Sequence, residues 1–253
     1  MRRRDNLKGY ASWRAEIKTA LMTMDAELDE FVEQAESIAA SGRWDAVNET
    51  VKQWAARPKI EGEIWYGELF GNLCFRVFYE YSALKEAYAA APPKDDLALL
   101  SWRARNLLEL SVWATFCAKD RNKARQFFED VGRDASNLLN AFKKWGEATN
   151  QSPDWFQRGA EARDRLANAA LLRGVESIDG QFTNVADAAE VIGIAHHFSL
   201  MNKLLSKFAH PTAMLILGNS EVRKMQKDSV FANGCLFFVG AFTALESISK
   251  GGV

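Results

Sequence analysis

Five prolines, at positions 58, 92, 93, 153 and 211, interrupt a chain of 253 residues. Proline ends or kinks a helix because it lacks a backbone N–H and its ring clashes with the preceding turn. The stretches between these positions are long and rich in Ala, Leu, Glu, Lys and Arg, which favour helix intrinsically. Apolar residues recur in them every three or four positions, the period of one helix face. No stretch alternates apolar and polar residues between Asn-Gly or Asp-Gly turns, as hairpins require. Asp179-Gly180 offers only a short bend. The pattern predicts an all-α chain, an irregular bundle of about eight or nine helices.

Stop and start signals place those helices. The first is expected over residues 11–40, stopped by Ser41-Gly42, and a second over 43–56, ending before Pro58. A third covers 61–90. After Pro92-Pro93, Asp95 and Asp96 sit where a cap and a first-turn acid belong, opening a helix over 96–118. A fifth follows over 121–149. Ser152-Pro153 supplies a cap and an N1 proline for 153–173. The remaining helices are expected over 184–209, from Pro211 onward, and over 228–249. The double proline suggests a division into an N-terminal helical part, 1–91, and a main bundle, 95–253. The alternative is a loop between packed helices of one domain.

Composition narrows the function classes. Hydrophobic residues at 48% and charged residues at 26% are ordinary globular values. A net charge of −1 gives no overall basic excess toward nucleic acid. Locally, residues 1–18 are basic, residues 25–36 carry six acids and no base, and residues 202–227 are basic again. The last stretch suits an anionic partner. Cys74, Cys117 and Cys235 lie far apart in apolar settings, so they read as buried hydrophobes rather than disulfides or metal ligands. This points to a reducing, cytoplasmic setting. Neither a signal peptide nor a membrane span is expected. The apolar stretch Val230–Leu245 reads as a buried helix or, in a structural protein, as the contact of a homodimer. Most of the eight tryptophans occupy apolar helical positions and read as packing.

Gly-rich phosphate loops, HExxH, CxxC and GxSxG motifs are absent, and no cofactor is expected. Two segments carry concentrated polar chemistry. In one, Arg105 and Glu109 are four apart on a helix and so share a face, flanked by Leu107, Leu108, Leu110 and Trp113. This is either a structural ion pair or a guanidinium fixed by its own carboxylate. In the other, residues 196–211, all three histidines occur. Asn202, Ser206 and His210 repeat every four residues, and Lys203 lies nearly on the same stripe. Histidine titrates near neutrality and serves as acid or base, while lysine attracts an anion. The structural alternative for His210 is a helix end before Pro211, where a histidine complements the dipole.

Together these segments resemble an uncharacterised group of bacterial all-helical proteins. The matching residues are Arg105 and Glu109, then Leu205, Ser206, His210 and Pro211. The arrangement is also similar to the HEPN superfamily of helical bundles, many of which are metal-independent ribonucleases acting as dimers in defence systems. The resemblance covers about residues 95–220 and implies a helical bundle with a polar pocket. The HEPN motif pairs an Arg with a His a few residues later. Here no Arg precedes His210 at that spacing. Lys203 stands nearest, and a point charge is not a bidentate fork.

Three readings follow. A binding protein, in defence or stress, would use the polar pocket for RNA, another anionic ligand or a partner. A ribonuclease would use His210 as base and Arg105 or Lys203 to stabilise the phosphorane, with Glu109 orienting Arg105 and with Asn202 and Ser206 holding substrate. A structural homodimer would use the same residues only to satisfy its core.

Overall fold

The computed structural model describes residues 29–56, 64–90, 96–210 and 220–251. They form nine helices, and no strand occurs among them. These are α1 (residues 29–40), α2 (Arg43–Ala56), α3 (Ile64–Ala89), α4 (Leu97–Lys119), α5 (Arg121–Ala148), α6 (Pro153–Leu171), α7 (Val185–Val191), α8 (Ala195–Ala209) and α9 (Ser220–Gly251). The expected N-terminal half of the first helix, residues 11–28, lies outside the described residues, as do Trp13, the basic start and Pro58, Pro92, Pro93 and Pro211.

Two expectations are corrected. The single helix expected over 184–209 is two, α7 and α8, because Gly193 adopts φ +81° between them. Only glycine takes that left-handed conformation without strain. The helix expected from residue 228 already runs from Ser220 and continues to Gly251 without a break.

Local chemistry explains the other ends. Asp96 caps α4, its Oδ1 accepting from the backbone N–H of Ala98 at 2.9 Å and of Leu99 at 3.3 Å. Asp120 caps α5 by accepting from Lys123 N–H. Ser152 precedes Pro153 at the start of α6, as expected, but its hydroxyl makes no capping bond. Asn184 and Asp187 close a reciprocal capping box on α7.

The chain divides into two compact units that interleave along the sequence. Among the described residues, one comprises 29–44, 77–90, 96–108, 201–210 and 220–240, the other 45–56, 64–76, 109–200 and 241–251.

In the first unit, the core sets the second half of α3 against α9. Tyr81 stacks on Phe238 at 3.9 Å, and Tyr88 stacks on Phe231 at the same distance. Gly234 lets the two helices approach, since a Cβ there would lie 2.5 Å from Leu84 Cδ2. The Tyr88 hydroxyl donates to Asp228 at 3.0 Å. Burial, together with that carboxylate, pushes the Tyr88 hydroxyl above its usual range. Glu80 of α3 is buried, and Arg103 of α4 donates to it at 3.0 Å.

The second unit packs aromatic side chains between α2, α3, α4 and α5. Trp54 sits 4.7 Å from Phe70, Trp65 5.6 Å from Phe128 and Trp113 4.3 Å from Phe127. Ala170, Val175 and Ile178 form a second cluster with Phe128, Leu166 and Ala167. The tryptophans divide: Trp44 and Trp65 are buried, whereas Trp102 and Trp145 are exposed.

Val230, Phe231, Cys235, Phe238, Phe242 and Leu245 are all buried within the chain's own fold. These side chains of the apolar stretch of α9 are therefore core, as the buried-helix reading expects. The window Gln226–Gly251 is long and apolar enough to cross a membrane by length and composition, and 67% of it is buried inside the protein.

All three cysteines are buried and free. Burial lifts each thiol from the ordinary 9.0 to about 12. An acid whose folded pKa is raised contributes stability that is complete below its unfolded pKa and is lost as pH climbs toward the folded value. Between pH 9 and 10 the three thiols together are expected to lower unfolding free energy by about 3 kcal/mol. Urea titrations at the two pH values check this. A variant with all three cysteines replaced by alanine should show a much flatter dependence, and an equal slope in both proteins would refute the assignment.

Candidate functional site

The two polar segments singled out in the sequence meet in the first unit. Arg105 lies on α4 and Asn202 on α8. Arg105 Nε donates to Asn202 Oδ1 at 2.8 Å. Both side chains are half-buried. Each stands beside buried apolar neighbours, Ala104 and Leu107 on α4 and Met201 and Leu205 on α8. The helix period puts those neighbours into the core and leaves the polar residues at its edge. Arg105 also lies 6.0 Å from the Trp102 ring, one turn earlier on the same helix, within reach of a cation–π attraction.

From Asn202 the stripe runs along α8. Ser206, one turn on, is half-buried, and Lys203 is exposed. His210 follows the last residue of α8 and is exposed. It stands just past the C-terminal end of α8, the end that carries the negative pole of a helix. The site is thus an edge made by two helices, with a fixed guanidinium at one end and an exposed imidazole at the other.

Glu109 lies one turn beyond Arg105 on α4, is half-buried and belongs to the second unit. His196 and His197 are exposed at the start of α8. No group of three His, Cys, Asp or Glu side chains suited to a metal ion occurs among the described residues.

Other polar clusters escaped the sequence reading. On α5, Arg125 bonds Glu129 at 2.7 Å. Arg133 bonds both Glu129, at 3.3 Å, and the buried Asp130, at 2.8 Å. The second oxygen of Asp130 accepts from Thr183 N–H at 3.0 Å. The spacing of Arg125, Glu129 and Arg133 by four was the available signal. Arg103 and Glu80 carried none, being 23 residues apart.

The second unit also holds a cavity of about 340 Å³ with Leu69, Leu73, Phe127 and Leu166 among its walls. Asn72, Arg76 and the Glu68–Arg173 ion pair, 3.3 Å long, stand among its polar lining. A groove of about 680 Å³ lies between α5 and α6, lined by Phe142, Trp155 and Phe156 with Lys143 and Arg158. None of Arg105, Glu109, Asn202, Lys203, Ser206 and His210 lines either space.

No curated protein and no solved structure shows significant similarity to the chain. Residues 101–224, which hold every candidate residue from Arg105 to His210, match the model of a family of unknown function (DUF5677).

Proposed function

We propose that this protein binds an anionic, phosphate-bearing ligand on the edge formed by Arg105, Asn202, Lys203, Ser206 and His210. The observation that carries this reading is the Arg105–Asn202 hydrogen bond. It fixes the plane of a guanidinium beside a stripe that also presents lysine, hydroxyl and imidazole groups. A planar, oriented guanidinium suits phosphate oxygens better than a flexible ammonium does. Exposure of Lys203 and His210 leaves the stripe open to a large ligand. Glu109, one turn beyond Arg105 on α4, is not needed for this reading.

The test is titration of a labelled single-stranded oligoribonucleotide, without added metal, followed by fluorescence anisotropy. Saturable binding is expected, weakened about tenfold in Arg105→Ala, the equivalent of one charge-assisted hydrogen bond. Failure of the folded wild type to bind, or equal affinity in the variant, would overturn the proposal.

The same surface favours a second reading, a metal-independent ribonuclease of the HEPN kind. Arg105 would supply from α4 the guanidinium missing before His210. His210 would accept the ribose 2′-hydroxyl proton, and Arg105 or Lys203 would stabilise the phosphorane. Electrophoresis of the same samples separates the two. Intact RNA supports a binding protein, whereas cleavage abolished in His210→Ala supports the ribonuclease.

A further inference from the structure

Helix α5 carries one apolar seam along its whole length, and only half of it is covered. Ala124, Phe127 and Phe128 begin the seam inside the fold. Ala124 is fully buried, Phe127 packs on Trp113 and Phe128 on Trp65. The seam then continues through Val131, Ala135, Leu138, Phe142 and Trp145 to Thr149, the polar residue that caps the helix, spaced alternately by four and three. This is the heptad spacing of a helix that pairs with another helix. Val131, Leu138, Phe142 and Trp145 are 64%, 59%, 50% and 52% exposed. Between residues 137 and 145 every residue but Leu139 is exposed. The α6 side of the helix is marked by Gly132 and Gly146, where added Cβ atoms would meet Ala170 and Trp155. It lies to one flank of the seam, where Trp145 packs against Trp155 with ring centroids 5.6 Å apart and Val131 and Phe142 line spaces shared with α6, and it leaves half or more of each of these three side chains exposed.

We propose that this seam is an antiparallel homodimer interface, its occupant being the same seam of a second copy. The sequence of the seam is self-complementary about an axis beside Asn140. A two-fold places Val131 against Thr149, Ala135 against Trp145 and Leu138 against Phe142, each contact then occurring twice. The smallest residue of the seam faces the largest. Charge follows the same symmetry, because Asp134 and Lys144 flank the seam on the side away from α6 and approach each other across the pair. The seam makes two heptads and a little more, which suits a micromolar, reversible dimer rather than an obligate one.

Sedimentation equilibrium of the full chain, from nanomolar to high micromolar loading, tests this. The wild type is expected to reach twice the chain mass. Phe142→Glu is expected to be a monomer throughout, with unchanged circular dichroism, since Phe142 is half-exposed in the single chain. Asp134→Lys should weaken association at least tenfold, and adding Lys144→Asp should restore it. The two-fold also brings Ala141 close to its own copy, so Ala141→Cys should cross-link as a dimer with a short bismaleimide. The three native cysteines are buried and give little background. A wild type that stays monomeric overturns the proposal, as does a dimer that survives Phe142→Glu. A dimer lost in Phe142→Glu yet not linked through Ala141→Cys overturns the antiparallel register.

Discussion

Arg103→Ala is expected to lower the unfolding free energy by about 3–5 kcal/mol. Glu80 keeps only a 6% share of its surface in contact with solvent. Its bond to Arg103, 3.0 Å long, is what compensates a carboxylate that water no longer reaches. The cost arises less from the lost attraction than from the charge left behind. The guanidinium is about a quarter exposed, so water entering the truncated site puts the loss toward the lower end of that range. A double variant, Arg103→Met with Glu80→Leu, removes both charges and should recover most of the loss, because apolar replacement of a buried pair is often neutral. Urea denaturation of the two single variants and the double completes the cycle. A loss below about 1 kcal/mol in Arg103→Ala would mean that the pair behaves as an exposed one.

Phe238→Ala should cost about 3–5 kcal/mol by a different route. Phe238 is fully buried, stacks on Tyr81 at 3.9 Å and lies 6.4 Å from Trp44. Truncation removes transfer free energy and leaves a cavity between rigid aromatic walls that cannot close over it. Tyr81→Phe is the natural control. The Tyr81 hydroxyl is buried without a hydrogen-bond partner, so its removal should change stability little or raise it slightly. Thermal and urea unfolding of the pair check both expectations. A mild Phe238→Ala together with a costly Tyr81→Phe would contradict this account of the core.

Much of this architecture is legible in the residues. Proline positions and caps bracket α2, α4, α5 and α6 to within a residue or two, because these signals act through neighbouring backbone. The break at Gly193 was hidden because Ala188, Ala189, Ile192, Ile194 and Ala195 keep an apolar rhythm across it. One glycine inside such a rhythm does not announce a positive φ. The candidate edge was half legible. Asn202, Ser206 and His210 announce a stripe by their spacing. Arg105 donates to Asn202, 97 residues away, and no periodicity records a contact of that range. Spacing could offer only a local neighbour, Glu109, one turn along the same helix. The apolar stretch of α9 and the seam of α5 show the converse problem. Both are runs of large apolar residues, and only the packing separates a core helix from a bare one.

The segment joining α6 to α7, Leu172–Asn184, is clamped to α5 near both ends. Arg125 donates to the Gly174 carbonyl. Toward the far end Asp130 accepts from Thr183 N–H at 3.0 Å, and Gln126 donates to the Thr183 hydroxyl at 2.7 Å. Val175 and Ile178 are buried between these fastenings. Surface exposure alone would mark this segment as a protease-sensitive tether. Its opening instead requires α5 to let go of three side chains, so it belongs to the same cooperative unit as that helix. The amide of Thr183 should therefore exchange with solvent on the timescale of α5, while its exposed neighbours Gln181 and Phe182 exchange as freely as a loop.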